Sequence, residues 1–233
     1  MNFLIKSGQG LKGEITIPGD KSISHRSIIL SSLAEGTSKI HGLLEGEDCL
    51  ATIEVFRNMG IKIINEEGIY SIEGNGLRGL DAPQKPLDFG NSGTSIRLCS
   101  GILSAQNFQS TLVGDSSLSS RPMQRIVEPL TDMGAKITSN NGTLPLNISP
   151  TDSLKSIDYL LPVASAQVKS CIMLAALYAE GVTKIEERAV TRDHTENMLK
   201  QFGIPVNVEN SDGKKRISLG TVSYTHLTLP TKA

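Results

Sequence analysis

NMGIKII, residues 58–64, decides the fold, because the same order of an apolar residue, a glycine and a strand-like run returns twice along the chain. DMGAKIT follows at 132–138 and QFGIPVNV at 201–208, so the motif recurs at intervals of roughly 70 residues. A second landmark agrees: LAEGTSKI at 33–40 is echoed by YAEGVTKI at 178–185. Self-similarity of this kind indicates a protein built from repeated structural units.

Each block, at about residues 19–76, 86–150 and 156–220, is predicted to run strand, helix, strand, helix, strand, strand. This order indicates an α/β (α+β) fold of three repeated units. In the first block, Ile53, Phe56 and Met59 lie three positions apart and form an apolar stripe on its second helix. We expect its first strand at 13–19 and the helices of the three blocks at about 24–34, 49–59, 94–104, after Pro122, 167–179 and 193–202. Pro122 suits a first helical position, and Pro129 is expected to kink that helix.

Composition indicates a soluble, cytoplasmic protein with a substantial core. The 23 basic and 24 acidic side chains give a net charge of −1, which offers no reason to expect nucleic acid as a partner. The longest apolar run, 171–179, is far shorter than the roughly 18 residues of a membrane span. The N-terminus lacks the apolar segment of a secretory signal. Cys49, Cys99 and Cys171 have no metal-like spacing and are predicted to be buried thiols.

Three predicted helix starts share small or hydroxyl residues followed by a basic side chain: GDKSISHRS at 19–27, GNSGTSIRL at 90–98 and ASAQVKSC at 164–171. A helix N-terminus offers unpaired backbone N–H groups and the positive end of the helix dipole, so it favours anions. The basic residue follows a small one by one helical turn in the pairs Ser22 and Arg26, Gly93 and Arg97, and Ser165 and Lys169. Together with Lys21, Arg121 and Arg192, these starts predict a site for a small ligand with several negative charges.

Two other patterns carry less weight. GNGLRG at 74–79 satisfies the GxGxxG pattern of dinucleotide-binding loops, but two prolines and no helical pattern follow it. A turn-rich linker is therefore the better interpretation. His25, His41, His194 and His226 lack the spacing of metal ligands, and we expect each to have an ordinary structural or exposed role.

Five ordered motifs closely resemble the N-terminal half of the EPSP synthase family over about residues 1–220: PGDKSISHR, GNSGTSIR, SSRPMQR, PVASAQVKS and TRDHTE. The resemblance implies a two-domain fold of six βαβαββ units, three per domain around a pseudo-threefold axis. Residues 19–220 would form one complete domain, and the first strand region, 1–18, would belong to the second domain. Residues 221–233, TVSYTHLTLPTKA, depart from the family pattern and are interpreted as a non-native tail.

The resemblance also implies a reaction, the transfer of the enolpyruvyl group of phosphoenolpyruvate to the 5-hydroxyl of shikimate 3-phosphate with release of phosphate. No metal or organic cofactor is expected, and the enzyme is expected to be a monomer. Two alternatives stay open. The related transferase acting on UDP-N-acetylglucosamine uses a cysteine in the second block, where GDSSLSSRPM at 114–123 has none. A non-catalytic anion-binding module is the other.

The family motifs assign roles to individual residues of this sequence. Lys21 would be the catalytic residue of this half and contact both substrates, and Gly93 would let phosphoenolpyruvate approach the backbone. An Asp and a Lys–Glu pair that move protons would come from the second domain, so the chain alone is expected to bind phosphoshikimate weakly without turnover. The remaining assignments are Ser22, Arg26, Ser165 and Arg192 to shikimate 3-phosphate, Arg121 to phosphoenolpyruvate, Gln167 to both, and Asn91, Thr94 and Arg97 to support of the site.

Overall fold

Three main sheets with their helices build the part of the chain that a computed structural model describes, namely Leu4, Gly8, Gly10, 12–211 and 214–220. The first sheet has the strand order β1-β3-β2, with both neighbours antiparallel to β3. Its unit contains α1 (Lys21–Leu33), β1 (Glu35–Ile40), α2 (Glu47–Arg57), β2 (Lys62–Glu66) and β3 (Ile69–Asn75). Helix α1 begins three residues earlier than predicted, because the Asp20 carboxylate accepts a 2.8 Å hydrogen bond from the Ile23 N–H.

The second and third units each contain a four-stranded sheet, with the orders β4-β5-β7-β6 and β9-β11-β13-β12. The second unit consists of β4 (Leu87–Asp88), α3 (Gly93–Leu103), β5 (Ser110–Val113), α4 (Ser116–Ser119), α5 (Gln124–Asp132), β6 (Lys136–Asn140) and β7 (Thr143–Ser149). The third consists of β8 (Leu154–Lys155), β9 (Asp158–Leu160), α6 (Ala166–Ala176), β10 (Ala179–Glu180), β11 (Val182–Glu187), α7 (His194–Gln201), β12 (Asn207–Ser211) and β13 (Lys214–Gly220). Strands β8 and β10 form a separate parallel pair.

The turn after the second long helix of each unit confirms the repeat. Gly60, Gly134 and Gly203 all have left-handed backbones, with φ of 85°, 96° and 80°. In each unit the next residue donates its N–H to the carbonyl five positions back, from Ile61 to Phe56, Ala135 to Leu130 and Ile204 to Leu199. This is the Schellman arrangement, in which glycine is favoured because it has no Cβ to clash. The recurring glycine therefore marks one structural position in three units.

The first sheet has one strand fewer than the other two, so the predicted strand at 13–19 is wrong. In the later sheets, β4 and β9 precede a central helix and pair in parallel with β5 and β11. Residues 13–19 form no strand, and the side chains of Ile15 and Ile17 are 82% and 72% exposed. Their alternation satisfies a local strand pattern, but no described strand lies beside them to complete a sheet.

Two helices also differ from the prediction. Helix α5 begins at Gln124, so Pro122 precedes the helix instead of occupying its first position, and Pro129 lies inside it. The kink at Pro129 stays a prediction. Helix α6 ends at Ala176, before the predicted end at residue 179, because residues 179–180 pair with β8. The four-residue helix α4 has no apolar periodicity that could have predicted it.

Helices α1, α3 and α6 are the central helices, since nine residues of each are buried. Helices α3 and α6 approach so closely at Gly101 that a Cβ there would lie 2.3 Å from the Cys171 carbonyl oxygen. The three cysteines are buried and free, as predicted. No helix among the described residues is both long enough and apolar enough to cross a membrane. The starts of the three central helices are the points at which the sequence predicts an anion site.

Candidate functional site

The starts of α1, α3 and α6 converge on one cleft. Each start is capped by a side chain, since Asp20, Ser92 and Ser165 accept hydrogen bonds from backbone N–H groups within their first turns. The positive ends of three helix dipoles therefore lie close together. The cleft between them is lined by Ser22, Arg26, Thr94, Ala166, Gln167, Arg192 and His194. Of the predicted site residues, five line this cleft: Ser22, Arg26, Thr94, Gln167 and Arg192.

Arg26 is the most enclosed cation of the cleft, with 4% of the residue exposed. Its Nη1 donates to the Ser22 carbonyl at 2.8 Å, its Nε to Thr195 Oγ1 at 2.7 Å and its Nη2 to Ser170 Oγ at 2.8 Å. Burial lowers the pKa of Arg26 to about 10, against the opposing effect of the Glu196 carboxylate. Arg192 lowers this pKa further and donates from Nη1 to Ser22 Oγ at 3.0 Å. Two guanidinium groups thus meet at Ser22.

Gln167 connects the second and third helix starts. Its Nε2 donates to Thr94 Oγ1 at 3.0 Å, and its Oε1 accepts from Arg97 Nη1 at 3.1 Å. Arg97 Nη1 also donates to the Gly93 carbonyl at 2.9 Å. Burial lowers the pKa of Arg97, and the neighbouring cations Arg121 and Arg125 lower it further. The amide therefore lies beside a second group of like charges.

Gly93 lies between the guanidinium groups of that second group. A Cβ at this position would be 2.8 Å from Arg97 Nη1 and 3.0 Å from Arg121 Nη1. Arg121 donates from Nη2 to Asn91 Oδ1 and, at 3.2 Å, to Ser117 Oγ of the short helix α4. Asn91 in turn donates to Asp115 Oδ2 at 2.7 Å. Asn91 therefore orients Arg121, and the absent side chain of Gly93 leaves room beside two cations.

Lys21 and Ser165, two further predicted residues, do not line this cleft. Lys21 Nζ forms a 2.8 Å ion pair with Asp48 Oδ2 in the first turn of α2, and 55% of the lysine side chain is exposed. Ser165 is the N-cap of α6, and its Oγ accepts from the Val168 N–H at 3.4 Å. Lys21 is thus turned toward α2, and Ser165 is held at the edge of the helix start.

Lys169 differs from the other two basic residues of the helix starts. It is fully buried, and its Nζ lies 2.7 Å from Glu196 Oε1 and 3.2 Å from Glu187 Oε1. Two carboxylates therefore neutralise the charge that the sequence pattern placed in the anion site. Arg26 and Arg97 keep their charges beside the cleft, whereas Lys169 belongs to a buried ion-pair cluster.

Two of the described histidines, His25 and His194, differ in their surroundings, and His226 lies outside the described residues. His25 is buried, with Nδ1 2.8 Å from Thr52 Oγ1 and Nε2 3.3 Å from Ser92 Oγ, so it joins α1 to α2 and to the cap of α3. Burial lowers the pKa of His25 to about 4, which keeps the ring neutral at physiological pH. His194 lines the cleft, although an ordinary role was expected for it. Its place in the TRDHTE motif was the available signal.

Sequence reasoning also missed Asp48, Ser170 and Thr195, which contact the predicted cations. Ser170 and Thr195 are small hydroxyl residues inside helices. Both lie within the quoted motifs PVASAQVKS and TRDHTE, but their type and position alone do not reveal that they bond to Arg26. The cleft as a whole presents arginine forks, helix N-termini and amide groups in an enclosed space. Such groups bind phosphate and carboxylate through charge-assisted hydrogen bonds.

Comparison with known proteins agrees with this chemistry. The family model described as EPSP synthase (3-phosphoshikimate 1-carboxyvinyltransferase) matches residues 5–224. The chain is similar to the 3-phosphoshikimate 1-carboxyvinyltransferase of Hydrogenovibrio crunogenus, with 55% identity covering 91% of this chain and 48% of the relative. It is similar to that of Methylococcus capsulatus, with 54% identity covering 98% and 52%.

Solved structures show the same likeness. An EPSP synthase from Acinetobacter baumannii superposes with a TM-score of 0.86 at 51% identity, covering 93% of this chain and 49% of that one. The chain thus spans about half the length of the curated relatives it matches. Family match, identity and fold all agree: the chain belongs to the EPSP synthase family, a family of transferases.

Proposed function

We propose that this chain forms the part of a 3-phosphoshikimate 1-carboxyvinyltransferase that holds both substrates. The observation that carries the proposal is the pairing of like charges: Arg192 meets Arg26 at Ser22, and Arg121 meets Arg97 at Gly93. Holding cations together costs free energy unless an anion joins them. Two such groups in adjoining parts of one site suit two anionic substrates, shikimate 3-phosphate and phosphoenolpyruvate.

The proposed roles follow the two groups. Arg26, Arg192 and Ser22, with Ser165 and Gln167, bind shikimate 3-phosphate. Arg121 binds phosphoenolpyruvate beside Gly93, and Gln167, which contacts both helix starts, touches both substrates. Lys21 contacts both substrates once its ammonium group leaves the ion pair with Asp48. Asn91, Thr94 and Arg97 hold these groups in place through the hydrogen bonds described above.

The reaction explains the need for fixed cations. Protonation of the phosphoenolpyruvate methylene carbon, with attack of the 5-hydroxyl on the adjacent carbon, forms a tetrahedral intermediate. Loss of phosphate and of a methyl proton then restores the double bond in the product. Both anions must be held within bonding distance against their repulsion, which positioned cations and N–H groups achieve. The groups that move the protons would come from the half of the family fold that this chain does not span.

We propose the domain organisation on the same grounds. Residues 19–220 form one domain, and 1–18 belong to the second domain, a division supported by the exposed Ile15 and Ile17 and by the first sheet's missing strand. The proposed enzyme is a cytoplasmic monomer that needs no cofactor. The interpretation of residues 221–233 as a non-native tail falls outside the described residues.

Isothermal titration calorimetry with the 233-residue chain tests the proposal. Shikimate 3-phosphate should bind, more weakly at higher salt, whereas UDP-N-acetylglucosamine should not bind, in line with the family match. With phosphoenolpyruvate present, the chain alone should release no phosphate above background. A folded chain, verified by circular dichroism, that fails to bind shikimate 3-phosphate would contradict the proposal. Binding by this chain without phosphate release after extension to the relatives' full length would favour a non-catalytic module.

A further inference from the structure

Two side-by-side contacts join α6 to α7 behind the cleft. Ser170 Oγ lies 2.7 Å from Thr195 Oγ1, and in the adjacent positions Lys169 Nζ lies 2.7 Å from Glu196 Oε1. All four residues are at least 99% buried. Successive residues of one helix thus pair with successive residues of the other, once through hydroxyl groups and once through charges.

The ion pair belongs to a larger buried cluster. Lys169 also lies 3.2 Å from Glu187 Oε1, and Lys215 lies 3.2 Å from Glu196 Oε1. Thr191 donates to Glu187 Oε2 at 2.7 Å. Any slip of α7 along α6 would separate buried charges from their partners, which costs several kcal/mol. The cluster therefore keeps the neighbouring hydroxyl pair in register.

The hydroxyl pair matches one edge of the Arg26 guanidinium. Nε–H and one N–H of Nη2 are parallel on that edge, and they donate to Thr195 Oγ1 at 2.7 Å and Ser170 Oγ at 2.8 Å. Nη1 donates to the Ser22 carbonyl at 2.8 Å. Within the described residues, these three acceptors account for three of the five N–H bonds.

Two N–H bonds of Arg26 remain for a further acceptor. The side edge is taken by the hydroxyl pair, and one N–H of Nη1 is taken by the Ser22 carbonyl. Within the described residues, one N–H on each Nη atom is left. Guanidinium N–H groups of this kind are suited to binding a phosphate or carboxylate. Because Arg26 lines the cleft, these two N–H groups belong to the anion site.

We infer that Thr195 and Ser170 are positioning residues, which fix Arg26 so that its free N–H groups are presented to an anionic group, phosphate or carboxylate, of the bound substrate. The inference rests on the proposed function for the identity of that substrate. The fixed orientation itself follows from contacts within this chain. Neither residue has to touch the substrate, because both act through the arginine.

Thr195→Val tests the inference, because valine keeps the shape of threonine and removes the hydroxyl acceptor. Thr195→Ser keeps the hydroxyl and is the rescue variant. Thr183→Val is the matched control, since Thr183 is a buried threonine of the same unit whose hydroxyl has no hydrogen-bond partner within the described residues. In Thr195→Val, Kd for shikimate 3-phosphate should rise about tenfold, the scale of one hydrogen bond to a charged group. In the other two it should stay within about twofold.

A second measurement reports the orientation of Arg26 without any ligand. The hydrogen exchange rate of the Arg26 Nε–H, followed by NMR and assigned by its loss in Arg26→Met, should rise at least about tenfold in Thr195→Val. It should be unchanged in Thr195→Ser. Slow exchange or unaltered affinity in Thr195→Val would each overturn the inference. If the wild-type chain failed to bind shikimate 3-phosphate while Nε–H exchange responded as expected, the positioning of Arg26 would stand and the proposed function would fall.

Discussion

Arg26 and Lys169 occupy the same place in the first and third helix starts, yet their surroundings differ. Each follows a small residue by one helical turn, and each is at least 96% buried. Arg26 bonds to neutral acceptors, two hydroxyl groups and a carbonyl, so its charge stays available. Lys169 lies against Glu187 and Glu196, so its charge is neutralised. The repeat therefore determines where a basic residue lies, and its partners determine what that residue can bind.

The ion pairs show the same contrast. Lys169 and Lys215 lie within 3.7 Å of Glu187 and Glu196, so two cations face two carboxylates. Arg26 forms no ion pair within the described residues, although the Glu196 carboxylate raises its pKa and Arg192 lowers it. Its charge beside the cleft is therefore open to pairing with an anionic group of the substrate.

The largest effect should come from breaking the buried cluster. Lys169→Met leaves two buried carboxylates with one cation, so the free energy of unfolding should fall by about 3–5 kcal/mol. Arg26→Met should cost less, about 1–2 kcal/mol, because its hydroxyl partners still bond to each other. Urea-induced unfolding followed by circular dichroism measures both.

Lys62→Met serves as the control, because Lys62 forms an ion pair with Glu73 in which both side chains are at least half exposed. Its free energy of unfolding should change by less than about 1 kcal/mol. Equal decreases in the free energy of unfolding for Arg26→Met and Lys169→Met would contradict the distinction between the two positions.

The residue before each basic position adds a second difference, in how the free energy of unfolding depends on pH. His25 precedes Arg26, whereas the apolar Val168 precedes Lys169. Burial lowers the pKa of His25 from 6.5 to about 4, so the unfolded chain binds this proton at a higher pH than the folded chain. The stability that neutral His25 contributes is therefore complete above pH 6.5 and is lost as the pH falls toward 4, a change of roughly 3 kcal/mol.

His25→Asn should flatten that part of the pH profile of the free energy of unfolding. Val168→Ala should leave the shape of the profile unchanged, although it lowers stability at every pH by removing buried methyl groups. Urea unfolding at several pH values between 4 and 7.5 distinguishes the two. Parallel profiles for the wild type and His25→Asn would show that His25 does not bind a proton on unfolding in this range.

The smallest effect on stability is expected at the second helix start. Gly93→Ala places a methyl group against Arg97 and Arg121, but the nearest atoms are the ends of flexible side chains. The free energy of unfolding should therefore change by less than about 1 kcal/mol. In the protein extended to the relatives' full length, the KM for phosphoenolpyruvate should rise by about tenfold. The family resemblance implies that glyphosate competes with phosphoenolpyruvate, so its inhibition constant should rise by about tenfold as well. Unchanged constants in steady-state phosphate-release assays would separate Gly93 from the phosphoenolpyruvate site.

The sequence was sufficient to predict what repeats locally. The glycine turns at Gly60, Gly134 and Gly203 follow from short-range patterns, and the structure has them. The predicted order of helices and strands also holds, except for the first strand and for the short elements α4, β8 and β10, which were not predicted. The strand at 13–19 could not be judged in this way, because the alternation of Ile15 and Ile17 is local while strand pairing is not. The ion pair of Lys169 could not be predicted, because its partner Glu196 lies on another helix. The roles of Thr195 and Ser170 could not be predicted either, because both act through the Arg26 guanidinium, which belongs to the first unit.

The most direct test compares shikimate 3-phosphate binding by Arg26→Met and Lys169→Met in calorimetry. The buffer contains no urea and has a pH of about 7.5, at which His25 is neutral. We predict that Arg26→Met raises Kd by about a hundredfold, because it removes the bidentate cation. Any Lys169→Met protein that remains folded should keep Kd within about tenfold of the wild type, despite its larger loss of stability. Wild-type affinity in a folded Arg26→Met protein would contradict the assignment of the anion site.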